Sequence, residues 1–246
     1  MQLRTMSAKT FIAGAVFVFV CCPPAHSTPP ATSSPFLQAI GKDKLCVTNG
    51  TVTTLPSGKL AIDTPSSRAV VRVRTTQTAE IRFRYLGPSE GSRPLASGEL
   101  RRQIGLKLRA EDACNLLYVM WHIEPDSKFG VSIKRNDGKH TFEECHANGY
   151  VTIKPRKSVE RLKIRPGEYH TLRAELKGTE LTLFADDRAV WEGTVGTGIA
   201  EFDGPVGLRT DNARFEFDFY AHLLGSDRSS MTRGDRIDRC QPSSGD

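Results

Sequence analysis

The sequence lacks the features that identify several common protein classes. Its longest apolar run, Phe11–Val20, spans ten residues, half of the ~20 that a bilayer-spanning helix needs, which excludes a polytopic membrane protein. No CxxC, HExxH or GxSxG motif occurs, so nothing indicates a zinc site or a serine nucleophile. No long helical stripe and no fixed repeat are found. The 246 residues, 38% hydrophobic and 25% charged, are nevertheless enough to bury a core.

The N-terminus has the organisation of a signal peptide. Arg4 and Lys9 precede the apolar run, and no acidic residue occurs before Asp43. The small residues of Ala25-His26-Ser27 predict cleavage after Ser27, and hence a secreted or periplasmic protein. Lipidation at Cys21 or Cys22 is the alternative. Cleavage removes two positive charges and leaves a net charge of +4 of the original +6, too small to indicate a nucleic-acid partner.

The mature chain keeps four cysteines, Cys46, Cys114, Cys145 and Cys240. In an oxidising compartment they are expected to pair, and four cysteines allow three pairings. We favour Cys114–Cys145, which would tie a strand to a nearby loop. The remaining pair, Cys46–Cys240, would then fix the polar C-terminal tail to the first strand and keep the tail from fraying.

Most of the mature chain alternates apolar and polar residues with period two, as half-buried strands do. Turn signals such as Gly87-Pro88, Asn136-Asp137-Gly138 and Gly204-Pro205 separate the alternating segments. The pattern predicts an all-β, antiparallel sandwich or barrel. The domain organisation is predicted as a signal peptide (1–27), a Pro/Ser/Thr-rich linker (28–44), a β domain (45–222) and a polar tail (223–246). The clearest strands are AVVRVRT (69–75), AEIRFRY (79–85), IGLKLRA (104–110), NLLYVMWHI (115–123), FGVSIKR (129–135) and ARFEFDFY (213–220).

Residues 100–220 resemble the second half of concanavalin A-like jelly rolls. The resemblance rests on His170–Gly178, on Leu181–Gly193 and on the closing segment Gly204–Thr210 with its GPVGLRT sequence. The jelly rolls that it resembles include laminin-G-like domains and the 3-keto-disaccharide hydrolase-like family. These motifs are set by turns and core positions, so they identify a fold better than an activity. The resemblance implies a jelly-roll sandwich of two curved sheets, with a concave face that binds or cleaves glycans.

A candidate ligand-binding face follows from the alternation in three successive strands. Leu117, Val119 and Trp121 are expected to face the core, so their neighbours in sequence face outward. Forked arginine donors, amides and an aromatic ring suit the hydroxyls and carboxylates of sugars, and the positive charge favours an acidic glycan. An ordinary solvated polar face is the alternative. The predicted binding residues are Arg101, Gln103, Lys107, Tyr118, His122, Lys134 and Asn136.

Other chemistry is indicated more weakly. Glu216 and Asp218 share one face of a strand in an E-x-D pattern, which jelly-roll glycosidases use for their acid and nucleophile. The further glutamate of that pattern is missing, and a polar outer face explains both residues, so no catalytic residue is assigned. The loop residues Asp186-Asp187 and Asp211-Asn212 suit calcium, but tight turns explain them as well, and no metal ligand is assigned.

The sequence therefore predicts a non-catalytic protein that binds a glycan or an envelope polymer. Trp121 and Trp191 are expected in the core rather than in a sugar site. A glycoside hydrolase-like enzyme is the first alternative, and a structural or protein-interaction module of the cell envelope is the second.

Overall fold

The computed structural model describes residues 37–159, 162–224 and Cys240. The predicted signal peptide and residues 28–36 of the predicted linker lie outside the described residues. So do residues 225–239 and 241–246 of the predicted tail.

Sixteen strands, numbered in chain order, account for most of the described chain. They are joined by one short helix, α1 (Phe142–Cys145), and by 3-10 turns at Lys42–Lys44 and Thr197–Glu201. Among these residues no helix is long and apolar enough to span a membrane. The strands are β1 (Gln38–Ala39), β2 (Leu45–Asn49), β3 (Thr53–Thr54), β4 (Leu60–Ile62), β5 (Ser66–Val71), β6 (Thr75–Pro88), β7 (Arg102–Leu108), β8 (Leu116–Glu124), β9 (Lys128–Lys134), β10 (Tyr150–Thr152), β11 (Lys157–Ser158), β12 (Tyr169–Lys177), β13 (Glu180–Ala185), β14 (Arg188–Thr194), β15 (Gly207–Asp211) and β16 (Ala213–Leu223).

The strands form two antiparallel sheets. One sheet has seven strands in the order β10-β9-β8-β7-β15-β5-β2, and the other has nine, in the order β11-β14-β13-β12-β6-β16-β4-β3 with β1 paired to β16. The predicted antiparallel β-sandwich is confirmed. The three strands of the predicted binding face, β7, β8 and β9, are also neighbours. They lie at one side of the seven-stranded sheet, while β15, β5 and β2 continue it on the other side of β7.

The core lies between the two sheets and is built from the apolar half of each alternation. Trp121 of β8 packs edge-on against Phe83 of β6 at 5.8 Å between ring centroids. Phe83 in turn packs against Phe215 of β16. Trp121 and Trp191 are both buried, as the alternation predicts. The side chains between these core residues point away from the core, to the outer face of each sheet.

The sandwich begins before the predicted boundary at Leu45. Gln38 and Ala39 pair with Ala221 and Tyr220 of β16, and Ile40 is buried. Residues 38–39 of the predicted linker therefore belong to the nine-stranded sheet. Ile40, which follows them, is part of the hydrophobic core.

Both predicted disulfides are present. Cys114–Cys145 ties the start of β8 to α1, and Cys46–Cys240 ties β2 to the C-terminal part of the chain. Disulfides are typical of proteins in oxidising compartments.

Candidate functional site

A groove of about 950 Å³ lies on the outer face of the seven-stranded sheet. Connections between strands close its two ends. Residues 93–96, which precede β7, form one end. Residues 110–113, which follow β7, and residues 140–147, which follow β9, form the other end. A cavity of this volume is in the upper part of the range for ligand sites. The side chains on its floor, one from each of five strands, are Arg68, Lys107, Tyr118, Lys134 and Arg209.

Strand pairing explains how these side chains meet. Lys107 of β7 lies directly opposite Tyr118 of β8, while Arg209 of β15 lies opposite Gly105. A Cβ atom at Gly105 would come within 2.5 Å of the Met120 sulfur, so this position holds only glycine. Without a side chain there, the Arg209 guanidinium reaches across β7 to 4.8 Å from the centre of the Tyr118 ring. The groove floor thus combines a stacked arginine with a tyrosine.

A buried carboxylate, Asp211, organises the cations. It accepts hydrogen bonds from Arg68 Nη2 and Arg209 Nε, each at 2.8 Å, and from Gln103 Nε2 at 2.5 Å. Burial opposes its ionisation, but the charges of Arg209 and Arg68 outweigh burial and lower the pKa of Asp211. Burial likewise opposes the charge of Arg209, yet Asp211 raises the pKa of Arg209 well above its usual value. Asp211 and Arg209 therefore both remain charged.

Two tyrosines stack at one side of the floor. The rings of Tyr118 and Tyr150 are 5.9 Å apart and 24° from parallel, and Arg209 Nη1 donates to the Tyr150 hydroxyl at 3.2 Å. Tyr118 is only 4% exposed, whereas Tyr150 on the edge strand β10 is 40% exposed. Tyr118 therefore supports the floor from below, and Tyr150 presents the accessible aromatic face.

Lys134 lines the groove but also supports its wall. Its ammonium donates to the carbonyl oxygens of Ala113 and His146 at 3.0 and 2.7 Å, and the side chain is buried. Asn136 lies beyond the end of β9 and donates to the carbonyls of Cys114 and Asn148. Both residues hold together the connections that close this end of the groove.

Arg101 and His122 form a separate cluster near the opposite end of the sheet. Their side-chain nitrogens are 3.4 Å apart, and Arg101 is paired with Glu99. Burial, together with the charges of Arg101 and Lys128, lowers the pKa of His122 to about 3, so the imidazole is neutral. Of the seven predicted residues, Lys107, Tyr118 and Lys134 line the groove, and Gln103 contacts it through Asp211. Arg101, His122 and Asn136 lie outside it.

Sequence reasoning missed Arg68, Arg209, Asp211 and Tyr150. A signal for the first three was present, because Arg68 alternates with Ala69 and Val71 in β5, and Arg209 and Asp211 flank the buried Thr210 in β15. The alternation does not show that β15 lies beside β7 and that β5 lies beside β15 in the same sheet.

The E-x-D residues lie on the other sheet. Asp218 pairs with Lys59 at 2.8 Å, and the Glu216 carboxylate is 3.9 Å from Arg84, both on the outer face of the nine-stranded sheet. They are thus on the opposite side of the sandwich from the groove. The carboxylates that line the groove are those of Glu111, Asp112, Glu143 and Asp211.

The loop acids considered for calcium have structural partners. Asp186 accepts hydrogen bonds from His170 and from the Thr171 amide, both at 2.8 Å. The Asn212 side chain bonds the backbone of Arg93 in both directions, and Asn212, like Asp186 and Asp187, has a positive φ. Within the described ranges, no cluster of three or more His, Cys, Asp or Glu side chains is placed to hold a metal ion.

No protein-family model matches the sequence, and no curated protein matches it significantly. Solved structures do resemble the fold. The carbohydrate binding module CBM66 from Bacillus subtilis aligns with 71% of this chain and 91% of its own, at 17% identity and a TM-score of 0.50. The Crh5 transglycosylase in complex with NAG aligns with 77% of this chain and 84% of its own (12% identity, TM-score 0.45). For the Emp46p carbohydrate recognition domain the shares are 73% and 88% (12% identity, TM-score 0.46). At these identities the likeness shows the fold alone, which is an antiparallel β-sandwich of the jelly-roll type.

Proposed function

We propose that this protein binds a saccharide in the groove of the seven-stranded sheet, outside the cytoplasm, and does not cleave it. The observation that carries the proposal is the exposed Tyr150 ring beside the Arg209 guanidinium. An aromatic face packs against the C–H face of a sugar ring, and a planar guanidinium pairs with hydroxyls or carboxylates. A concave site with a few convergent polar groups is the usual form of a small-ligand site.

The similar CBM66 structure is that of a carbohydrate binding module, which agrees with this proposal, although the likeness is one of fold alone. The resemblance to the 3-keto-disaccharide hydrolase-like family remains a prediction for the same reason. Export agrees with the two disulfides and with the N-terminal sequence.

Binding without cleavage is supported by the pKa of one groove carboxylate, Asp211, and by the hydrogen bonds of another, Asp112. Glycoside hydrolysis needs one carboxyl group that can donate a proton and so has a raised pKa. The pKa of Asp211 is lowered by its two arginines, which makes it unsuited to that role. Asp112 accepts hydrogen bonds from the amides of Cys114 and Asn115 and pairs with His140, so it caps its own loop.

A glycan-array screen with the full chain, run with calcium and with a chelator, tests the proposal. Hits are then incubated with the protein and analysed for new reducing ends. Binding without product supports the proposal, and release of product overturns the non-catalytic part. Loss of the signal in the chelator would identify a calcium requirement. An array with no signal would overturn the proposal and favour a structural or protein-interaction module.

Two tyrosine variants provide matched controls. Tyr150→Ala removes the proposed stacking ring and is expected to weaken binding about tenfold. Tyr169→Ala removes a tyrosine that is 61% exposed on the outer face of the nine-stranded sheet, and should leave binding unchanged. Equal effects of both substitutions would place the site elsewhere.

A further inference from the structure

The groove floor carries more positive than negative charge. Among the described residues, the groove floor carries four cationic side chains, Arg68, Lys107, Lys134 and Arg209, and one carboxylate, Asp211, which pairs with the two arginines. The opposing carboxylates, Glu111, Asp112 and Glu143, belong to the wall formed by residues 110–113 and 140–147. The positive excess is thus concentrated on the floor, and the negative groups are confined to one end.

The floor charges are also poorly hydrated. Lys107 and Lys134 are 4% and 1% exposed, and the Arg209 side chain is 13% exposed. Charges held in a concave, partly dehydrated site act on a ligand more strongly than charges in bulk water. Arg209 keeps its charge at neutral pH, because Asp211 raises the pKa of the guanidinium well above its usual value.

The cations differ in their position on the floor. Lys134 is directed to two loop carbonyls, and Arg68 bonds the Thr210 carbonyl as well as Asp211. The Arg209 guanidinium lies over the Tyr118 ring, and Lys107 occupies the position on β7 directly opposite Tyr118. These two side chains are the best placed to share an anionic group lying over the centre of the floor.

From this arrangement we infer that the bound saccharide is acidic, with one carboxylate or sulfate group held between Lys107 and Arg209 and the adjoining sugar ring against Tyr150. This inference rests on the proposed function and names its ligand class. The wall carboxylates would repel a second anion at their end of the groove. The groove therefore suits a chain with one acidic group at this position rather than a continuous track of charge.

Calorimetric titration with probes of the same backbone and different charge tests the inference. Tetragalacturonate is compared with its methyl ester, which keeps the backbone and removes the charge, and a carrageenan tetrasaccharide, which carries sulfate but no carboxylate, is compared with its desulfated form. At about 50 mM salt the acidic member of at least one pair is expected to bind tenfold or more tightly than its neutral partner. The difference should shrink at high salt, where charges are screened. The pair that responds identifies whether the group is a carboxylate or a sulfate.

Arg209→Gln and Lys107→Met are each expected to weaken binding of the acidic probe by about tenfold to a hundredfold, since each removes a charge-assisted contact. Binding of a neutral saccharide, which offers no anionic group to either cation, should fall by a smaller factor. Arg82→Gln, on the outer face of the nine-stranded sheet, is the control and should bind as the wild type does. If Arg209→Gln does not fold, as judged by circular dichroism, Lys107→Met and Arg209→Lys carry the test.

The outcomes separate this inference from the proposed function. If neutral saccharides bind as tightly as their acidic partners, or bind while both acidic probes fail, the inference is wrong and the groove remains a saccharide site. If acidic binding is unchanged in Arg209→Gln and Lys107→Met, the inference is also wrong. If no saccharide binds at all, the proposed function fails with it.

Discussion

The two outer faces of the sandwich use similar residues in opposite ways. On the nine-stranded sheet, cations pair with nearby carboxylates, within one strand in Arg82–Glu80 and Arg173–Glu175 and between two segments in Lys59–Asp218. On the seven-stranded sheet, the described floor residues include four cations and one buried carboxylate, Asp211, which pairs with two of the four, Arg68 and Arg209. The first face balances its charge locally and presents an ordinary polar surface. The second keeps a positive excess, and only this second arrangement favours a charged ligand.

The connections between strands produce this difference. Residues 89–101, 110–115 and 135–149 rise over the ends of the seven-stranded sheet and bury side chains that strand alternation places outward. Charged side chains beneath these walls are poorly hydrated, so removing an ion-pair partner there lowers the free energy of unfolding more than it does at the surface. On the nine-stranded sheet the ion pairs are more exposed, and such pairs are worth little.

The largest expected effect comes from removing the carboxylate that balances the floor. Asp211→Asn leaves Arg68 and Arg209 without their counter-charge in a buried site, so it should lower the free energy of unfolding by about 3–5 kcal/mol. Asp218→Asn, on the opposite face, should lower it by less than about 1 kcal/mol. Urea denaturation of both variants measures the contrast, and equal losses would mean that the two faces are energetically alike.

The second-largest effect is expected from removing Cys114–Cys145, the disulfide that holds the groove wall. Replacing Cys114 and Cys145 together by serine frees a loop of sequence separation 31, for which chain entropy suggests a loss of about 3–4 kcal/mol. Saccharide binding should weaken as well, because α1 and residues 140–147 form one end of the groove. A thermal melt and a binding titration on the same sample check both effects. A variant with wild-type stability would show that the wall is held by its hydrogen bonds alone.

The two sheets should respond oppositely to pH through their histidines. His122 has its pKa lowered to about 3, so below pH 6.5 the unfolded chain gains a proton that the folded chain does not, and stability falls as the pH falls. Burial opposes the charge of His170, but Asp186 and Glu168 raise its pKa. Its contribution is therefore present below pH 6.5 and is lost as the pH rises through the folded pKa.

Unfolding free energies between pH 4.5 and 8 test this opposition. Each histidine changes the slope by at most about 1.4 kcal/mol per pH unit. His122→Gln should reduce the loss of stability on the acid side, and His170→Gln should reduce it on the alkaline side. Parallel curves for the wild type and both variants would contradict the assignment.

The smallest effect is expected at the exposed tyrosine of the nine-stranded sheet. Tyr169 lies 5.6 Å from both Lys59 and Arg84 but is largely exposed, so Tyr169→Ala should change stability by less than about 0.5–1 kcal/mol. The free energies of unfolding of Tyr169→Ala and Tyr150→Ala, both measured by denaturation, provide the comparison. A larger loss at Tyr169 would show that its cation–π contacts hold the strands together.

The alternation with period two was sufficient to predict an antiparallel sandwich or barrel, because it records which side chains of each strand are buried. The resemblance to jelly rolls then favoured the sandwich. It also placed Lys107, Tyr118 and Lys134 on one face, since they come from strands that are consecutive in the chain. Arg68 and Arg209 were missed because a period of two residues shows which face of a sheet a residue occupies, but it does not show which strands are neighbours in that sheet.

Three predicted residues lie outside the groove. Asn136 follows the end of β9, where the strand alternation no longer fixes its direction. Arg101 and His122 lie 3.4 Å apart, so the alternation placed them together, but it does not show how far along the strands the groove extends.

The Cys46–Cys240 bond has a practical consequence for handling this protein. Cys240 lines the groove, so a thiol-directed label that opens this bond and attaches to Cys240 would lie in the proposed binding groove. Capture of the protein on a sensor surface through such a label would crowd that groove. Coupling through Lys177, whose side chain is 81% exposed on the nine-stranded sheet, would present the groove to solution instead.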